Sequence, residues 1–149
     1  MRSRSANWFE CKIRYEKVMD DGLAKKVTES YTVNAMSFSE AEARITEEMK
    51  AYISCSFTVE DIKKAPYKEI FFSDADTADK WYKAKLAFIT LDENTEKEKR
   101  SNVTYLVQAG SLSEAMKNID EVMVATMISY ESLSVQETKL MDVFEQERQ

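Results

Sequence analysis

The sequence predicts an α+β fold. Its unit is a tandem duplicated strand-strand-helix-strand, an antiparallel sheet with helices packed on it, arranged with pseudo-two-fold symmetry. Three observations predict this. The chain contains itself twice: residues 31–49 (YTVNAMSFSEAEARITEEM) and 105–123 (YLVQAGSLSEAMKNIDEVM) are identical at ten of nineteen positions at an offset of 74. Roughly one match would arise by chance, and a repeat of this kind sets the architecture before any local reading. Strict apolar–polar alternation heads each copy, the period of a strand with one buried face. An S-x-x-E box then opens an apolar stripe of helical period in each copy.

Taken in order, residues 1–7 (MRSRSAN) are basic and polar with no apolar run behind them. They read as a flexible basic tail, not a secretory signal. In the first strand Phe9, Cys11, Ile13 and Tyr15 share one face, with Trp8, Glu10, Lys12 and Arg14 on the other. Asp20-Asp21-Gly22 marks a turn into a second strand over 27–35, where Tyr31, Val33 and Ala35 share a face. Ser37 and Glu40 form the helix-start box, and Phe38, Ala41, Ile45, Met49 and Tyr52 form the stripe. A third strand begins at Phe57-Thr58-Val59. Pro66 ends it, because proline cannot donate to a ladder. Glu69 to Phe72 reads as a short strand extension.

The second copy follows the same order. Trp81 stands where Trp8 does, at an offset of 73, and Tyr82, Ala84, Leu86 and Phe88 face inward. The turn is Asp92-Glu93-Asn94, within the charged stretch 92–100 (DENTEKEKR), a solvated hairpin tip. The second strand spans 103–109, with Tyr105, Val107 and Ala109 on one face. Ser111 and Glu114 start the helix, whose stripe is Leu112, Ala115, Ile119, Val122 and Thr126. Leu133-Ser134-Val135 lies in the third strand, and Asp142 to Phe144 matches Glu69 to Phe71. The expected organisation is one two-lobed domain over 8–144. Repeat one is 8–72, the connector 73–80, repeat two 81–144, and 145–149 a tail.

Bulk composition excludes several functions. The 149 residues carry a net charge of −6 and no histidine. That disfavours duplex DNA, which needs a dominant basic surface, and removes histidine acid–base chemistry and metal ligation. Two glycines and one proline leave no glycine-rich phosphate loop. No cofactor motif is present. No run of about 18 apolar residues suggests a membrane span, so cytoplasmic residence is expected. Of the two cysteines, Cys11 alternates with core residues and reads as a buried free thiol. Its counterpart in the second copy is Ala84.

Three groups of residues could carry function. Trp8 with Lys12 and Arg14, and Trp81 with Lys83 and Lys85, pair aromatics with cations on the polar face of each first strand. That combination suits base stacking and phosphate contact with single-stranded nucleic acid. The competing reading has each Trp covering a sheet edge or the seam between repeats, with lysine stems packed along it. Asp74, Asp76 and Asp79 offer oxygen ligands, but their spacing departs from a calcium loop, and a solvated linker is the simpler account. Met116, Met123 and Met127 could form an adaptable partner groove, against ordinary filling of the core.

The strings NWFECKIRYEK, SFSEAEARI and IFFSDADTADKWYKAKL resemble an uncharacterised domain-of-unknown-function family of gut Bacteroidetes and their phages. The resemblance covers residues 7–144. It implies a phage or mobile-element origin and an anaerobic cytoplasm, and it supplies no activity. The expected function is a non-enzymatic binding module acting on a host or phage protein, as a monomer or homodimer, without membrane partners. The alternatives are single-stranded nucleic-acid binding through the Trp/Lys face, and a small-ligand-binding or sequestering protein with its site between the lobes.

Overall fold

The computed structural model describes residues 1–146 and is α+β, with two helices and two mixed sheets of five and four strands. In chain order the elements are β1 (Arg2–Arg4), β2 (Trp8–Val18), β3 (Ala24–Asn34), α1 (Phe38–Tyr52), β4 (Phe57–Lys64) and β5 (Glu69–Phe72). They continue with β6 (Lys80–Leu91), β7 (Glu98–Ala109), α2 (Leu112–Thr126), β8 (Ser129–Glu137) and β9 (Leu140–Phe144). From β2 on, each half of the chain runs strand, strand, helix, strand, strand.

The chain forms two compact units, and they are not the contiguous segments 8–72 and 81–144. Unit I holds Ala6–Ala65 and, of the described residues, 139–146; unit II holds Met1–Ser5 and Pro66–Thr138. In unit I the sheet order is β4-β2-β3-β9, with β9 parallel to β3. In unit II it is β1-β5-β7-β6-β8, with β5 parallel to β7. Glu69–Phe72 and Leu140–Phe144 are therefore separate strands, not extensions of the third strands. Each completes the sheet built by the other half of the sequence, which makes both sheets mixed where a wholly antiparallel sheet was expected.

The core of unit I lies between α1 and its sheet. Phe9, Cys11, Ile13, Tyr31, Val33, Ala41, Ile45 and Met49 are buried there, with Phe144 of β9 packed against them. The Phe144 ring stacks on Tyr31 at 5.5 Å. In unit II, Ala84, Leu86, Tyr105, Val107, Ile119 and Met123 form the core, joined by Phe71 of β5, whose ring meets Tyr105 edge-on at 5.1 Å. The helix stripes are narrower than the sequence suggests. Phe38 and Leu112 are half exposed and Tyr52 and Thr126 largely exposed, although Phe38 still meets Phe9 edge-on at 5.0 Å and the Tyr52 ring lies 5.8 Å from that of Phe144. Towards the end of α2 the buried residue is Met123, with Val122 only partly covered. Ala115, Ile119 and Met123 are spaced by four, as Ala41, Ile45 and Met49 are in α1.

Both helix starts are capped as expected. Glu40 N donates to Ser37 Oγ at 3.1 Å and Glu114 N to Ser111 Oγ at 3.2 Å. The reciprocal bond reaches one residue further back than a standard box. The Glu40 carboxylate accepts from Met36 N at 3.4 Å and that of Glu114 from Gly110 N at 2.9 Å. Gly110 has a second constraint: a Cβ there would lie 2.4 Å from the Thr77 carbonyl oxygen.

The edges of both sheets are modified. In β4 the register with β2 shifts between Lys12, opposite Asp61, and Ile13, opposite Val59, leaving Glu60 as an extra residue. In β8 the shift between Lys85 and Leu86 leaves Leu133 extra. Bulges of this kind twist an edge strand and discourage further pairing. At the other edge of unit I, Val143 N donates to the Asp142 carboxylate at 2.8 Å. At the corresponding edge of unit II a strand is added instead. Arg2–Arg4, expected within a flexible tail, pairs antiparallel with β5. The physical reason is the apolar Ile70-Phe71-Phe72 edge, which this strand covers.

Candidate functional site

The sequence leaves Trp8 and Trp81 either an exposed stacking face or a covered position, and the structure buries both. Trp8 is 2% exposed and Trp81 3% exposed. At the start of β2 the residues of both faces are buried, Trp8 as well as Phe9, and the same holds for Trp81 and Tyr82 in β6. On β3, Tyr31 to Asn34 are buried regardless of face. Alternation fails there because a strand end covered on both sides has no polar face to show. The Trp81 ring lies edge-on to Phe72 at 5.5 Å. Neither indole presents a face on which a base could stack.

The cations stand as the alternation predicts. Lys12, Arg14 and Lys85 are exposed and Lys83 is half-buried. Lys12 and Arg14 belong to the sheet of unit I, and Lys83 and Lys85 to that of unit II. Acids interrupt the first row: Lys12 lies opposite Asp61, and Glu10 pairs with Lys63 at 3.5 Å. Without the indoles, the first row is a mixed-charge sheet surface, and in the second Lys83 and Lys85 lie opposite the uncharged Gln136 and Ser134.

Cys11, Tyr15 and Tyr31 are each held in the protonated form, while Cys55 is an exposed free thiol. Burial pushes the Cys11 thiol up to about 12, with Glu10 and Asp61 adding to the effect, so it stays protonated. Tyr15 donates to Glu29 Oε1 at 2.7 Å, and Tyr31 donates to the same oxygen at 3.3 Å. Burial and that bond raise Tyr15 to about 12, and burial with the Glu29 charge raises Tyr31 further. Raised tyrosines are poor bases and poor nucleophiles at neutral pH. A groove of about 340 Å³ runs beside α1, lined by Asn34, Glu40, Arg44, Glu47, Glu48 and Phe144 among others. Its cation, Arg44, already bonds the Glu40 carboxylate and the Asn34 carbonyl. Asp74, Asp76 and Asp79 are exposed in the connector, and no group of three or more such ligands among the described residues could hold a metal ion. No helix among them is long and apolar enough to cross a membrane.

The surface that stands out is a flank of α2. Leu112 and Met116 are half exposed and Val124 is 76% exposed, at helical spacing beside the buried row. Just past the last turn, Met127 is 93% exposed. Met127 also carries a left-handed backbone, φ 58°, as the C-cap of α2. Glycine is the usual residue in that conformation. The sequence offered two readings of Met116, Met123 and Met127, a partner groove and core filling; Met123 fills the core, and Met116 and Met127 are exposed.

The model of one family, described as Domain of unknown function (DUF4494), matches residues 7–146. No curated protein and no solved structure matches the chain.

Proposed function

This chain belongs to the DUF4494 family, and we propose that it is a non-enzymatic binding module for a protein partner. The resemblance to a phage-borne family makes a host or phage protein the natural candidate. The observation that carries the proposal is Met127. A non-glycine residue in the left-handed region costs roughly 1–2 kcal/mol, and this one projects a large apolar side chain fully into solvent. Stability alone would favour glycine there. A strained, exposed methionine at the end of an apolar helix flank is explained by a contact made with something else. The raised Cys11 and tyrosine groups support a non-catalytic reading, and burial of both tryptophans takes the stacking surface from the nucleic-acid alternative.

The test is capture from host lysate by the intact chain, compared with Met116→Glu, Val124→Glu and Met127→Gly. The two glutamate variants should keep their melting temperature, with stability changed by less than about 0.5 kcal/mol as for exposed sites, and lose the partner. Met127→Gly should gain up to about 1 kcal/mol while binding less. Unchanged capture by all three variants, or a captured partner removed by nuclease, would overturn the proposal.

A further inference from the structure

A second surface is independent of the α2 flank and lies wholly within unit I. It is the groove of about 340 Å³ between α1 and the ends of β3 and β9. That volume falls among small-molecule sites, which span roughly 300–1,000 Å³. Pairing of β9 fixes the floor. Val33 lies opposite Phe144 in the parallel ladder, and the Asn34 side chain carries the ladder one step further. Its carboxamide accepts from Gln146 N at 2.8 Å and donates to Gln146 O at 3.2 Å. Val33, Ala43 and Phe144 supply the apolar part of the lining.

The charge of this groove is one-sided. Glu40, Glu47, Glu48 and Glu145 line it against a single cation, Arg44. Arg44 is taken up by the Glu40 carboxylate and the Asn34 carbonyl, and Glu47 pairs with Lys50 at 3.2 Å. Glu48 is half-buried and has no hydrogen-bond or ion-pair partner among the described residues. Withdrawing a carboxylate from water without a partner costs free energy. The fold does not demand that cost. At the offset of 74, Val122 stands where Glu48 does and packs, partly buried, against the core of unit II. Asn118 stands where Arg44 does and makes the matching backbone bond, to Gln108 O at 3.3 Å. Neutral residues therefore serve the helix at both places, and the charges at 44 and 48 belong to the groove.

We propose that this groove binds a small organic cation, a primary alkylammonium whose apolar stem lies along Ala43 and Phe144 and whose ammonium group bonds Glu48. Four carboxylates set the sign of the ligand's charge, and the apolar lining calls for a stem. A primary ammonium has three donors and no acceptor, which suits a wall that offers carboxylate oxygens. Bound there, it gives Glu48 the charge-assisted hydrogen bond that the fold withholds. Partial burial keeps that pair from being screened as an exposed one is. Because β9 and the Asn34–Gln146 bonds hold the floor in place, the site is formed before the ligand arrives.

The test uses the full chain with n-pentylamine as probe, read by titration calorimetry and by melting temperature. The amine should bind saturably and raise the melting temperature of the wild type, as a ligand of the folded state does. Glu48→Gln should lose about tenfold in affinity, the worth of one hydrogen bond to a charged group. The neutral probe pentan-1-ol should bind the wild type more weakly by the same factor. Glu42→Gln removes an equal charge from an exposed place on α1 outside the groove, and should change affinity by less than about twofold. Without amine, Glu48→Val should melt no lower than the wild type. No saturable binding, or equal binding by the wild type and Glu48→Gln, would overturn the proposal. So would a destabilised Glu48→Val chain, since Glu48 would then be partnered within the fold. Binding seen only with Arg148→Ala would assign the groove to the chain's own C-terminal cation and overturn the free ligand. A lysine peptide that binds tenfold more tightly than the amine, and is lost with Glu48→Gln, would assign the groove to a side chain of a partner protein and likewise overturn it.

Discussion

Ile45 and Ile119 hold matched places, each beneath its helix and each almost completely buried. Truncating either to alanine removes transfer energy and leaves a cavity, so a loss of about 2–5 kcal/mol is expected from each. Chemical denaturation of the two variants checks this, and losses below about 0.5 kcal/mol, the range of surface substitutions, would contradict the packing. Cys11 makes a prediction at high pH. Its folded value is raised from 9.0 to about 12, so the unfolded chain releases its proton first. The stabilisation is complete below pH 9 and is lost as pH rises towards 12. Tyr15, raised from 10.0 to about 12, acts in the same direction one unit later. Melting temperature should therefore begin to fall near pH 9. Cys11→Ala should delay that onset to about pH 10, at a cost of about 1 kcal/mol for the lost buried group.

At the scale of elements, the two helix starts share their caps but differ one residue earlier. Met36 is exposed before α1, whereas Gly110 before α2 sits against the Thr77 carbonyl. An alanine at 110 would force the connector away, which an overpacked site resists at about 1–3 kcal/mol. Gly110→Ala should therefore destabilise the protein by that amount. Met36→Ala should change stability by less than about 0.5 kcal/mol. Thermal melts of the pair separate a local packing constraint from a general feature of the repeat. α2 also ends differently from α1, in left-handed Met127 instead of extended Ile53.

For the molecule as a whole, the decisive feature is the trade of final strands. Phe71, from the first half of the sequence, lies in the core of unit II, and Phe144, from the second half, packs on the core of unit I. Neither half of the chain supplies a complete sheet. Phe71→Ala should cost about 3–5 kcal/mol, and the loss should appear first in amide exchange on β6 and β7. Loosening confined to β2 and β3 would show that the trade does not couple the halves. Pro66 is placed to make the trade. Before it, Ala65 N still bonds Trp8 O at 2.9 Å; two residues after it, Lys68 N bonds Thr104 O at 2.9 Å in the other sheet.

Sequence alone determined the elements. Alternation in β2 and β6, the Ser37 and Ser111 caps and the Ala41-Ile45-Met49 spacing are short-range signals, each set by contacts within a strand or a helical turn. The order of elements in both halves followed from the repeat. Tertiary structure decided the rest. Trp8 and Trp81 read as polar-face residues because periodicity reports one buried face, and it is blind to strand ends covered on both. β5 and β9 read as appendages because a four- or five-residue apolar run does not encode which strand it will join. Parallel pairing joins residues far apart in the chain, so only the folded molecule reveals the partner. β1 was misread for the same reason, since Arg2-Ser3-Arg4 has no strand period of its own and is ordered by the apolar edge it covers. For Met116, Met123 and Met127 the sequence left groove and core open together, because helical spacing alone does not distinguish an apolar row against a sheet from one beside it in water.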